Sequence, residues 1–182
     1  MSTHLHVVPG LTGTGQGSCA ASPIRVVLAE DHALVRRSLR LLLDGEEGVE
    51  VVAEADDMAA VAREVQGRRP HVLVLDLHLP DGSSIDAIGW LRACVLETQI
   101  VVTTMQENPV FAQCALAAGA LGFVAKDLAD SELPQAVRVA ARGEEYVSPR
   151  VAQRLRASRA RTSPARSLTV SPDLREASAG ML

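Results

Sequence analysis

The chain is poor in aromatic side chains: one Trp, one Tyr and two Phe make up 2% of 182 residues. A core without rings has to be filled by Ala, Val, Leu and Ile, which suits close packing of helices on a sheet. The same scarcity argues against modules that stack nucleobases on exposed rings. Lysine is rarer still. One lysine, Lys126, stands against 17 arginines. Arginine elsewhere reflects a compositional bias, so the retained lysine marks a position suited to a compact ammonium and not to a guanidinium fork. Three cysteines, Cys19, Cys94 and Cys114, lack the spacing of a metal site and are too few for a disulfide framework. No apolar run approaches the ~20 residues that cross a bilayer. The N-terminus lacks the basic and apolar regions of a signal peptide. These absences lead us to expect a cytoplasmic protein without membrane contact.

Charge is unevenly spread. The net value of −4 hides an acidic body, −9 over residues 24–146, and a basic segment, +6 over residues 150–166. Residues 1–22 are rich in Gly, Ser and Thr around "GLTGTGQGS". Gly10 and Gly15 have phosphate-loop spacing, but Gln16 follows where that motif needs Lys, and no strand leads in. This stretch is expected to be a flexible arm.

From residue 24 the pattern becomes regular. Strands are predicted at 24–29, 49–55, 71–76, 99–104 and 121–125, each a short Val/Leu/Ile-rich run. Helices are predicted between and after them, at 33–45, 57–67, from Ser84 to Ala93, from Pro109 toward Gly119, and at 131–142. Gly45, Gly67 and Gly143 read as stops, Ser84 as a cap, and Asn108-Pro109 as a cap followed by a first-turn proline. Five βα units imply an α/β protein, a parallel sheet covered on both faces. With right-handed crossovers, the common five-strand solution is the flavodoxin-like, doubly wound (βα)5 order 2-1-3-4-5. Ligands in such sheets bind beyond the carboxyl ends of the strands.

"HVLVLDLHLPDG", residues 71–82, is the densest apolar strand, and it ends on a carboxylate, Asp76. At the same rim stand Glu30 and Asp31 after strand 1, Thr103 and Thr104 closing strand 4, and Lys126 after strand 5. Acids brought this close repel unless a cation lies among them. Hard oxygen donors suit Mg²⁺, which shares its shell readily with phosphoryl oxygens. A carboxylate so placed can attack phosphorus and become an acyl phosphate. Which threonine turns toward the site is a one-residue register question that apolar flanks on both sides leave open.

In "AEDH" after strand 1, "LDLHLPDG" around strand 3, "VVTTM" on strand 4 and "AAGALGFVAKD" across strand 5, the chain resembles the receiver domain of bacterial response regulators. The wording of "DLHLPDG" and "GALGFVAKD" is similar to the NarL/FixJ subfamily. The resemblance implies a receiver domain at residues 23–146 that takes a phosphoryl group from a sensor histidine kinase on Asp76. It implies Mg²⁺ held by Glu30, Asp31, Asp76 and the backbone carbonyl of His78, with Lys126 pairing to the phosphoryl group. The family's Thr-to-Lys spacing selects Thr104 as the switch hydroxyl, partnered by Phe123, and places His78 and Gln106 where self-dephosphorylation is tuned. Read from its own position alone, Phe123 is equally a core residue. In place of the proline that many receivers carry after the lysine, Asp127 follows Lys126.

Residues 147–182 are expected to form a basic linker helix and a flexible tail. In "SPRVAQRLRASRAR", Ser148 could cap, Pro149 begin, and Val151 with Leu155 form a thin apolar edge. The subfamily usually continues into a DNA-binding helix-turn-helix. Residues 167–176, "SLTVSPDLRE", have the look of its opening, but too few residues follow for that bundle. DNA binding is therefore expected only in a longer form, and a homodimer is an open expectation. Two other functions compete. A haloacid-dehalogenase-type phosphatase would use an acid two residues after its nucleophile, where this chain has His78. A phosphorylation-independent interaction module would have no need of the full set of acids, threonine and lysine.

Overall fold

The computed structural model describes residues 22–80, 84–106 and 108–162. The arm expected over 1–22 (all but its last residue), most of the turn expected over 80–82, and the tail beyond 162 lie outside the described residues. The strands are β1 (Ile24–Ala29), β2 (Val49–Ala55), β3 (Val72–Asp76), β4 (Gln99–Thr104), β5 (Gly122–Ala125) and β6 (Tyr146–Val147). The helices are α1 (Ala33–Asp44), α2 (Met58–Arg68), α3 (Ser84–Cys94), α4 (Pro109–Ala117), α5 (Ala129–Ala141) and α6 (Pro149–Thr162). All pairings are parallel, in the order β2-β1-β3-β4-β5-β6. The doubly wound, flavodoxin-like order is as expected, with a sixth strand added at the β5 edge.

Strand parity divides the core, because successive side chains leave opposite faces of the sheet. Val26, Leu28, Val72, Val74, Val101 and Val124 meet Leu39 and Leu43 of α1 and Leu133, Ala136, Val137 and Ala140 of α5. Val27, Leu73, Leu75, Ile100, Val102 and Phe123 meet α2, α3 and α4. The central strand β3 is buried along its whole length. That burial on both faces is why it reads as an unbroken apolar run.

Several local expectations are corrected. Helix α2 does not stop at Gly67; it runs to Arg68, and Arg69 takes the left-handed cap conformation at φ 45°. Ser84 is the first residue of α3, and its hydroxyl is buried with no hydrogen-bond partner, so it does not cap. The last expected helix begins earlier, at Ala129, after a 3-10 turn over Lys126–Leu128. Asn108 caps as expected, accepting from the Val110 amide at 3.0 Å, with Pro109 in the first turn.

β6 follows from hydrogen bonds of Tyr146 N to Leu121 O (2.8 Å) and Ser148 N to Phe123 O (2.9 Å). A two-residue strand carries no periodic signal of its own, so the sequence does not announce it. The sheet therefore continues past residue 146. Ser148 does not cap α6 with its side chain. Its hydroxyl accepts from the Ala125 amide (3.3 Å) and donates to Glu132. Val151 and Leu155 are buried, and the apolar edge of α6 lies against α4 and the Phe123 side of the core.

Gly122 leaves no room for a side chain beside its neighbour on β4. A methyl group there would come within 2.8 Å of both Cγ atoms of Val101, its register partner on β4. Val101 is fully buried and β-branched, so it has little room to yield. Gly122→Ala is expected to lower stability by about 1–3 kcal/mol, read as a shift of the urea midpoint at unchanged slope.

Candidate functional site

Parity brings the site together. Glu30 continues β1, Asp76 ends β3 and Lys126 follows β5. Each stands two residues beyond a side chain, Leu28, Val74 or Val124, on the face covered by α1 and α5. Ala29 pairs with Leu75, so Glu30 and Asp76 stand level at the carboxyl edge. Asp76 pairs with Thr103, and Thr103 with Val124. The small side chain of Thr103 thus lies between β3 and β5, and the long lysine stem reaches across that strand.

The Lys126 ammonium ion-pairs with Asp76 Oδ2 at 2.9 Å and with Glu30. All three groups are sequestered: Glu30 is 1% exposed, Asp76 3%, and the Lys126 side chain 8%. Two carboxylates and one ammonium leave an excess negative charge in a poorly solvated place. Burial pushes the Glu30 carboxyl above its ordinary range; the Lys126 ammonium pulls it back in part, and the Asp76 charge adds to the rise.

Above these groups opens a cleft of about 500 Å³, lined by the acids, Lys126, and also His32, His78, Met105 and Gln106. Asp31 is exposed at its edge. Ligand atoms of Glu30, Asp31 and His32 all lie within 4.8 Å of one another. The donors are mostly hard oxygens carrying more negative charge than Lys126 neutralises, so the residues fit a small divalent cation such as Mg²⁺.

The structure brings together Glu30, Asp31, Asp76, His78, Gln106 and Lys126 around one cleft. Thr104 and Phe123 are fully buried and lie below it. Parity places the two threonines on opposite faces of the sheet. Thr103 shares the face of Asp76, its hydroxyl buried with no hydrogen-bond partner. Thr104, whose register partner is Ala125, shares the opposite face with Phe123. The Thr104 hydroxyl accepts from the Gln106 amide at 3.0 Å. The ring of His78 meets Phe111 of α4 edge-on, with centroids 6.4 Å apart.

Two residues at the site escape a reading of the sequence. His32 is legible only as the neighbour of the acids in "AEDH". Arg36 looks like one of many helix-surface arginines. It instead reaches back along α1 to the carbonyls of Glu30 (2.6 Å) and Asp31 (3.3 Å).

A doubly wound sheet with an aspartate at the tip of its central strand, acids beside it and a lysine across it is the arrangement of a receiver-type domain. Residues 26–138 match the response regulator receiver domain family, and the chain belongs to that family. It is 37% identical over 125 residues to the oxygen regulatory protein NreC of Staphylococcus epidermidis, covering 68% of this chain and 57% of that protein. It is 35% identical over 136 residues to the nitrate/nitrite response regulator protein NarP of Escherichia coli, covering 75% of this chain and 63% of that one. Among solved structures, a LuxR-family two-component response regulator from Aurantimonas sp. superposes with a TM-score of 0.73 at 34% identity, over 76% of this chain and 99% of that one. RcsB of Salmonella typhimurium gives 0.70 at 29%, over 75% of this chain and 68% of that one. The chain thus spans less than two thirds of the length of these curated relatives. The family acts as signalling switches and typically uses Mg²⁺ at the phosphorylation site. Among the described residues no helix is long and apolar enough to cross a membrane.

The raised Glu30 pKa has a definite sign. The fold favours its protonated form, so its contribution is fully present below the unfolded-state pKa and is lost as pH rises through the folded value. In chelator, urea stability of the parent is expected to fall as pH rises across that window, and Glu30→Gln to flatten the fall. An unchanged slope in Glu30→Gln would assign it to another group.

Proposed function

We propose that the domain is a phosphorylation-driven switch in which Asp76 accepts a phosphoryl group from a sensor histidine kinase. The observation that carries this reading is the Asp76 carboxylate, buried at the floor of an acid-lined cleft and paired with Lys126 at 2.9 Å. Asp76 uses one carboxylate oxygen to form a bond to phosphorus. The phosphorus–nitrogen bond to the kinase histidine breaks, and the departing imidazole keeps the electron pair and is left to take up a proton. Lys126, already beside Asp76, pairs with a phosphoryl oxygen. Glu30, Asp31, Asp76 and the carbonyl of His78 would hold Mg²⁺, which when bound offsets charge on the phosphoryl oxygens.

The switch half of the reading rests on Thr104 and Phe123. Thr104 can exchange its bond from the Gln106 amide for a phosphoryl oxygen, which draws β4 and the following loop toward the site. Phe123, on the same face, then repacks against α4. The end of β5 is bonded to Ser148, so the change reaches α6. His78 and Gln106 line the cleft where hydrolytic water would enter, and they set the lifetime of the acyl phosphate. The domain catalyses its own phosphotransfer and dephosphorylation and turns over no other substrate. Its output is altered partner binding or self-association. RcsB has been solved as two dimers bound to two parallel DNAs.

Labelling by a small acyl phosphate with Mg²⁺ tests the assignment. The parent is expected to gain one phosphoryl group by intact mass, Asp76→Asn none, and Lys126→Ala to label about 100-fold more slowly. Equal labelling of the parent and Asp76→Asn would end the assignment. A labelled parent whose amide spectrum stays unchanged would favour a phosphorylation-independent interaction module.

A further inference from the structure

Asp31 poses a problem of placement. It is exposed, and its carboxylate carries no hydrogen bond or ion pair among the described residues. Nothing on the side chain itself holds it toward the cleft. Its direction depends on the two peptide planes that flank its Cα, since each plane is rigid and only the dihedrals between them are free.

Both planes are held by one side chain. Arg36 Nη1 donates to the carbonyl of Glu30 at 2.6 Å, in the plane before Asp31, and to the carbonyl of Asp31 at 3.3 Å, in the plane after it. Arg36 Nε donates to Glu54 Oε2 on β2 at 3.1 Å. The other Glu54 oxygen is bound by Arg40, one helical turn further along α1. The guanidinium is thus anchored at one end to the sheet and clamps the acid loop at the other. It ties this turn to β2 together with the bond of Glu30 N to Ala55 O (3.0 Å). A lysine could not do this in the same way, because here one nitrogen, Nη1, serves both carbonyls while a second, Nε, serves Glu54, and a lysine has only one nitrogen on a flexible stem.

We infer that Arg36 is a positioning residue for divalent-cation binding: it fixes the backbone of Glu30 and Asp31 so that their carboxylates are presented together to the ion. The inference rests on the reading of these acids as the Mg²⁺ site. Arg36 touches neither the reacting group nor the ion.

Calorimetric titration with MgCl₂ on folded, unphosphorylated protein separates the two claims. Asp31→Asn tests the metal site itself; unchanged Mg²⁺ affinity there overturns that reading and leaves Arg36 without a role. With Asp31→Asn defective, Arg36→Lys and Arg36→Met are each expected to bind Mg²⁺ about tenfold more weakly, and Glu54→Gln about threefold. Saturating Mg²⁺ should restore the labelling rate of Arg36→Lys to that of the parent, a loss in apparent binding and not in the maximal rate. A purely structural arginine would lower the melting temperature and leave Mg²⁺ affinity unmoved well below it. Parent-like Mg²⁺ affinity in Arg36→Lys overturns the inference. Should Arg36→Met not fold, Arg36→Lys and Glu54→Gln decide the matter.

Discussion

The structure depends on a single buried ammonium held between two carboxylates. Lys126 joins β5 to β3 through Asp76 and to β1 through Glu30, across a sheet edge where no backbone bond could do so. The triad is unequal: two acids face one base. Removing the ammonium would leave two like charges side by side in a poorly solvated place, which is strongly unfavourable. Keeping it leaves a residual negative charge, which is the condition under which a small divalent cation is attracted. The same imbalance accounts for the raised pKa of Glu30.

That pairing also couples the site to the far edge of the sheet. Lys126 opens the 3-10 turn that follows β5. One residue earlier, the Ala125 amide donates to Ser148; one residue later, Asp127 pairs with Arg150 of α6 at 3.0 Å. The Asp127–Arg150 pair is exposed and contributes little by itself. The buried Ser148 hydroxyl and the packing of Val151 and Leu155 hold α6 in place. The segment expected as a basic linker helix is docked on the domain along its apolar edge, with exposed arginines such as Arg156 on its outer side. On the other side of the site, the chain from Arg36 to Glu54 to Arg40 ties the acid loop to β2. The carboxyl edge is thus braced from both flanks.

Much of this is legible in the residues. Apolar runs and helix-ending glycines locate the five longer strands and their helices; the run is unbroken in β3, which is buried on both faces, and interrupted by glutamates in the edge strand β2. Asp76 is conspicuous because an acid ending such a run has no packing reason to be there. Lys126 stands out against a background of arginine. Capping is less legible. Asn108 behaves as its position suggests, yet Ser84 and Ser148 look like equal candidates and neither caps with its side chain; the local sequence does not record that tertiary partners, Glu132 and the Ala125 amide, claim the Ser148 hydroxyl. The helix stop expected at Gly67 fails for a similar reason: Arg69 accepts the left-handed conformation that glycine would take more easily.

The sequence by itself determined the alternation of strand and helix, the acids at the strand ends and the single lysine. It did so because hydrophobic period and charge are local properties of neighbouring residues. Only the tertiary structure decided which side chains share a face. Strand parity set Thr104 with Phe123 and Thr103 with Asp76, and strand order brought Lys126 across to Glu30 and Asp76. It also decided that β6 extends the sheet, that α6 lies on α4, and that Arg36 turns back to the acid loop. Each of these joins residues through space whose separation along the chain carries no periodic signal.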